Sequence, residues 1–220
     1  MAPSTAHDGP LGLRERKKAR TRDALVDAAL RRFTEHGFAA TTTEEIAADV
    51  EVSQRTFFRY FASKEDAVLA VQEHIEEKFL AKLAARPLEE PPIEALSNAL
   101  RDTWAELDER TTQTQLLVLR LLEDCPPLLA AHLRRLSEHQ DRLVELIARR
   151  TGVDPATDLR PRLVAAAFGS VSHVAHVVCH QRGCRGAADL RSTIGECLDE
   201  LVPALTEPWG TAGPAAPAAD

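Results

Sequence analysis

The chain has 220 residues and a formal net charge of −7, with 44% hydrophobic residues but only 5% aromatic. That length suits one or two domains with a sizeable core, and a composition dominated by alanine and leucine favours helices over sheet. There is no run of about 18 uninterrupted apolar residues, and "MAPSTAHDGPLGLRERKKAR" has no apolar stretch of the secretory kind, so neither a membrane span nor a signal peptide is expected and the chain is expected in the cytoplasm.

The acidic balance is uneven. Residues 1–64 carry 11 Lys and Arg against 9 Asp and Glu, and the rest of the chain carries 16 against 25. Within Arg14–Arg22 six basic residues face one acid, Glu15. Such a local patch can bind a polyanion on an acidic protein, because exposed charges beyond about 8–10 Å are screened. A solvated helix end with no partner is the plainer reading.

Residues 1–12 read as a disordered arm. From Leu13 to His36 the apolar series Leu25, Ala28, Ala29 and Phe33 has helical spacing, and Gly37 is a plausible stop. Thr42 with Glu45 makes a capping-box pattern opening a second helix, 43–50, with Ile46, Ala47 and Val50 on its buried side. Ser53 opens a third, very short helix, and Ser63 with Asp66 a fourth, 64–85.

The third helix lies in "SQRTFFRYF", which crowds three phenylalanines, a tyrosine and two arginines into nine residues. At about 100° per residue, Phe57 and Phe61 share one face while Arg55, Thr56 and Arg59 lie opposite. The phenylalanines can therefore anchor a short helix against Leu25 and Phe33, leaving the arginines outside. Two short helices with a tight joint, the second bearing outward Arg, Thr and Tyr, describe a helix-turn-helix. An arginine fork matches the O6/N7 pair of guanine, and hydroxyls and amides suit phosphate oxygens. A small helical corner with a solvated basic face is the alternative.

Further breaks fall at 86–92, 125–127, 151–158 and 181–186, which brings the expected count to nine helices. No strand-like alternation or internal repeat is present, and residues 207–220 read as a disordered tail rich in Pro, Ala and Gly. The fold class is therefore all-α, and the domains are expected at 13–63 for the helix-turn-helix and at 64–206 for a second, larger helical domain.

Three further groups call for a reading. Cys125, Cys179, Cys184 and Cys197 contain no CxxC pair, so free thiols are expected in a reducing compartment. His173, His176 and His180 share a helix face near Cys184, which suits either a metal or the seam of a dimer. Trp104, Leu107, Leu117, Arg120, Leu121, Leu136 and Phe168 are candidates to line an apolar pocket, or to be plain core. No G-x-S-x-G, P-loop or GxGxxG occurs, so no catalytic residue, metal or cofactor is expected.

The stretch "ALVDAALRRFTEHGFAATTTEEIAADVEVSQRTFFRYFASKEDAV" resembles the N-terminal domain of the TetR family of transcriptional repressors. Its carriers are Phe33, Gly37 and Phe38, then Thr41–Thr43, Ile46–Ala47, Val52–Ser53, the aromatic run Phe57–Phe61, and Ser63–Glu65. The resemblance implies a nine-helix, two-fold homodimer that binds a palindromic double-stranded operator and releases it when a small, largely apolar effector binds. By position it implies DNA contact from Thr43, Ser53, Gln54, Arg55, Thr56, Phe58, Arg59, Tyr60 and Lys64, with Arg20 from the basic arm. It also implies a dimer seam through helices 159–181 and 188–202, with Val171, Val174, Val178, Ile194 and Leu198. Family members usually carry Tyr where this chain has Phe58 and often Gly where it has Glu51. The stretch "RTFFRYFASKEDAV" and the region "LEDCPPLLAAHLRRLSEHQDRLVELIARRTGVDPATDLRPRLVAAAF" resemble an actinobacterial branch sensing acyl-CoA-like ligands. The rival reading is a helical carrier or enzyme for an apolar small molecule that binds no DNA.

Overall fold

The computed structural model describes residues 12–184 and 186–209. The expected disordered arm and tail lie outside them, except for Gly12 and residues 207–209. Among the described residues there are nine helices and no strand: α1 (Leu13–His36), α2 (Thr43–Asp49), α3 (Gln54–Tyr60), α4 (Lys64–Ala85), α5 (Pro92–Glu106), α6 (Glu109–Asp124), α7 (Pro126–Thr151), α8 (Arg160–Arg182) and α9 (Ala187–Thr206). The all-α expectation and the count of nine both hold.

The chain forms two compact units whose boundary passes through α4, α6 and α7. The first ends at Glu73 and takes in Leu117–Arg134, so it is larger than the 13–63 segment expected from sequence. Its core joins Leu25, Ala29 and Phe33 of α1, Ile46 of α2, Phe57 of α3 and Val68 of α4 to Val118, Leu122 and Leu128. A three-helix segment of about 50 residues buries little surface alone, and the helical turns after Leu117 supply the missing wall.

The second unit comprises His74–Leu116 and the chain from Arg135 onward. Here α8 and α9 pack on one another and on α5. The C-terminal end of α4 is closed from α7: Arg150 donates to the carbonyls of Leu83, Arg86 and Pro87 at 3.0, 2.8 and 2.7 Å. A cation there satisfies orphan carbonyls and complements the helix dipole. α8 is long and apolar enough, by length and composition alone, to cross a membrane, and 28% of its apolar window is buried. Its buried side carries Ala165, Phe168, Val171, Ala175 and Cys179, and its open side exposes Leu163, Val174 and Val177.

The cysteines depart from expectation. Cys179 and Cys184 are joined by a disulfide, while Cys125 and Cys197 are free. A search for CxxC spacing misses a pair five residues apart whose sulfurs are brought together by the way α8 ends.

Candidate nucleic-acid interface and effector cavity

The capping box expected at α2 is complete. Thr42 accepts the Glu45 N–H at 3.2 Å, and Glu45 accepts the Thr42 N–H at 2.9 Å. These bonds to Thr42 hold the Glu45 carboxyl below its ordinary range. At the other end of α2 the N–H of Val52 reaches Ala47 O and that of Glu51 reaches Ala48 O, both at 3.0 Å. This is a Schellman turn. Glu51 sits at its left-handed position with φ 55°, the one non-glycine residue with positive φ among those described. The departure at Glu51 thus leaves the turn geometry intact and adds strain. Gly37 ends α1 differently, with φ 81° and ψ 160°, an extended positive-φ glycine rather than a left-handed cap.

Ser53 caps α3 by accepting the Thr56 N–H at 3.1 Å. Gln54 donates to the Thr43 hydroxyl at 2.9 Å, tying the start of α3 to the start of α2. Phe57 is fully buried and Phe61 is 5% exposed; their rings lie 5.7 Å apart. Arg55, Phe58 and Arg59 are exposed, and Thr56 and Tyr60 are half-buried. The Arg59 guanidinium lies 5.2 Å from the Tyr60 ring centroid, which pre-orders its fork. The two-faced helix expected from the spacing is therefore present.

Other basic side chains divide into outward and inward sets. Arg14, Arg16, Lys17, Lys18 and Arg20 are exposed along α1. Arg22 instead pairs with Glu73 at 3.3 Å and lies over the Phe61 ring at 5.4 Å. Lys64 also turns inward: its ammonium donates to the carbonyls of Phe38 and Thr41 at 2.6 and 2.8 Å and sits 4.0 Å from the Phe38 ring centroid. It braces the loop between α1 and α2. Arg32 and Arg31 converge on Asp49, a tertiary pair with no local sequence signal. Arg32 first, then Arg31, holds the Asp49 carboxyl at about 2.

Residues 25–71 match the family described as "Bacterial regulatory proteins, tetR family", and residues 90–206 match the "MftR C-terminal domain". The chain is 41% identical over 218 residues to the HTH-type transcriptional regulator TcmR of Streptomyces glaucescens, covering 96% of each. The chain belongs to the TetR family. Solved TetR structures share the fold. A regulator from Syntrophomonas wolfei aligns with TM-score 0.57 at 18% identity, over 89% of this chain and all of that one. SmeT, repressor of the Stenotrophomonas maltophilia efflux pump SmeDEF, aligns with TM-score 0.52 at 22% identity, over 83% and 89%. The chain is thus a transcriptional regulator with a DNA-binding helix-turn-helix, and the enzyme reading is set aside.

Residues expected at the TetR effector pocket are distributed between the two units. Leu117 and Leu121 pack against the helix-turn-helix core, and Arg120 is exposed. Trp104, Leu107 and Phe168 are buried in the second unit, where Phe168 stacks on Phe79 at 5.6 Å, and Leu136 is exposed. None of them lines the open cavity of about 670 Å³ in that unit. Its apolar wall is Leu80, Ala81 and Ala84 of α4 with Val144 and Leu146 of α7. Its rim carries Arg142, Arg149 and Arg162 beside Asp141 and Glu145. Small apolar residues and scattered arginines look like core and solvated face in sequence, so nothing flagged them.

The expected seam residues also divide. Val171, Ile194 and Leu198 are buried within the protomer, at 2%, 4% and 5% exposure, where they join α8 and α9. Val178 is half-buried and Val174 exposed. On the same helix His173 and His180 are exposed and His176 is half-buried.

Proposed function

We propose that this regulator is a cytoplasmic repressor that binds a palindromic operator as a homodimer and leaves it when a small effector binds. The observation that carries the reading is α3: buried Phe57 and Phe61 fix a seven-residue helix whose opposite face presents Arg55 and Arg59. A rigid, short helix with two outward forks suits direct readout in the major groove. Thr43, Ser53, Gln54, Thr56 and Tyr60 surround it with hydroxyls, an amide and helix N-termini suited to phosphates, and Phe58 offers an apolar edge. Arg20 and its neighbours on α1 extend the cationic track. Lys64 acts by bracing the loop before α2.

Dimerisation is supported by the open apolar side of α8, where Leu163, Val174 and Val177 are exposed, and by Val202 and Leu205 on α9. Several exposed apolar residues on two packed helices suit a partner, and a second copy supplies the same residues by two-fold symmetry. For the effector, the α4–α7 cavity offers an apolar wall beside Arg149 and Arg162, while Arg142 is held by Glu76, which suits an amphipathic molecule such as an acyl-CoA-like ligand. Because α4 carries both Lys64 and the cavity residues Leu80–Ala84, its displacement would reach the helix-turn-helix. Sedimentation of the protein alone and with the upstream DNA of its own gene tests the reading. A dimer whose DNA affinity falls steeply with salt supports it; a monomer without salt-dependent binding contradicts it.

A further inference from the structure

Gly183 closes α8 in the left-handed region, with φ 66° and ψ 40°. Its N–H donates to His180 O at 3.0 Å, and the N–H of Cys184 reaches back to Cys179 O at 2.9 Å. These are the two bonds of a Schellman cap, which sets the second residue past the helix over the fourth-last helical residue. Here those two positions are Cys184 and Cys179. Their Cα atoms lie 5.1 Å apart, within the span of a disulfide. The cap and the disulfide therefore join the same two residues.

The two sulfurs differ in access. Cys184 is half-buried and Cys179 is 3% exposed, so a reagent from solvent meets Cys184 first. The sulfur of Cys184 also lies 3.9 Å from the Thr193 hydroxyl of α9. The other two cysteines are poorly suited to compete: Cys125 is buried, and burial, with Glu196 nearby, pushes the Cys197 thiol up, lowering its thiolate fraction.

We propose that Cys179 and Cys184 form a reversible dithiol–disulfide pair that responds to low-molecular-weight disulfides, held ready in both states by the Gly183 cap. In closing, the Cys184 thiolate attacks one sulfur of the small disulfide. A mixed disulfide forms, and the expelled small thiolate takes up the proton that Cys184 has lost. Cys179 then loses its proton and attacks the Cys184 sulfur, expelling the second small thiolate, which is protonated in turn. Two protein thiols are oxidised and one small disulfide becomes two thiols. Closure ties Cys184, beyond the end of α8, to Cys179 in its last turn. Opening by excess small thiol reverses each step.

The test uses the full chain, reduced and then exposed to oxidised glutathione, with alkylation and mass spectrometry. Cys179 and Cys184 should lose alkylation together, the mass should fall by two hydrogens with no glutathione retained, and dithiothreitol should restore both thiols. Cys125 and Cys197 should stay alkylated in the unfolded endpoint throughout. Gly183→Ala meets no neighbouring atom but disfavours the positive φ, so closure should slow several-fold while circular dichroism stays unchanged. Cys184→Ser should take up no glutathione. A glutathione adduct that persists on Cys184 without closure would overturn the pair. So would a bridge that resists dithiothreitol, closure of folded Gly183→Ala at the wild-type rate, or uptake at Cys179 in Cys184→Ser.

Discussion

Arg32 holds Asp49 with both arms of its guanidinium, Nε to one carboxylate oxygen at 2.7 Å and Nη2 to the other at 2.6 Å. The pair pins the last turn of α2 to α1. Because the folded Asp49 titrates at about 2, below the ordinary aspartate range, its contribution to stability is present above about pH 4 and is lost as pH falls toward 2. At 22% side-chain exposure the pair is partly screened, and about 1 kcal/mol is expected. Asp49→Asn should lose that amount at pH 7 and flatten the acid limb of stability against pH. Urea melts of both proteins between pH 2 and 7 measure it.

Arg55 and Arg59 stand outside the core. Arg55→Ala or Arg59→Ala should weaken operator binding by about 1–3 kcal/mol where the side chain meets a base edge, with thermal stability barely altered. Fluorescence anisotropy with the operator duplex and a thermal melt separate the two effects. Normal binding by both variants would mean that another surface reads the DNA.

Phe57 acts through folding. Its ring is fully buried against α1, α2 and α4, so Phe57→Ala should cost about 3–5 kcal/mol. DNA binding should be lost with it. Amide exchange in α2 and α3 reports the change, and protection at wild-type levels would show that the ring does not anchor α3.

Glu51 occupies a left-handed turn position at φ 55°. A non-glycine residue there carries roughly 1 kcal/mol of strain, and glycine loses entropy on folding. Glu51→Gly should therefore be neutral or slightly stabilising in a chemical melt. A clear loss would assign the glutamate side chain a supporting contact.

Much of the helix-turn-helix was legible because its signals are local. Thr42 and Glu45 fix the start of α2, Ser53 the start of α3, and the four-residue spacing of Phe57 and Phe61 its buried side; each acts within one or two turns. The Arg32–Asp49 pair, the inward turn of Lys64 and the capping of α4 by Arg150 join residues 17 to 67 positions apart, and no local pattern announces them. The cavity escaped for the same reason: alanines and leucines on α4 and α7 become a wall only once those helices pack. Val171, Ile194 and Leu198 have the apolar spacing of a seam, but periodicity cannot tell a partner copy from a neighbouring helix. The Cys179–Cys184 contact is the instructive miss, since Gly183 as a helix stop was local and implied that its flanking cysteines meet.

The most direct measurement is selection of bound sequences from random duplexes by the intact protein. The account predicts enrichment of an inverted repeat whose half-site centres lie about 34–36 Å apart or a multiple of it, and loss of that enrichment when Arg55 and Arg59 are both replaced by alanine. Enrichment of no sequence, or of a single unrepeated site that survives those replacements, would contradict it.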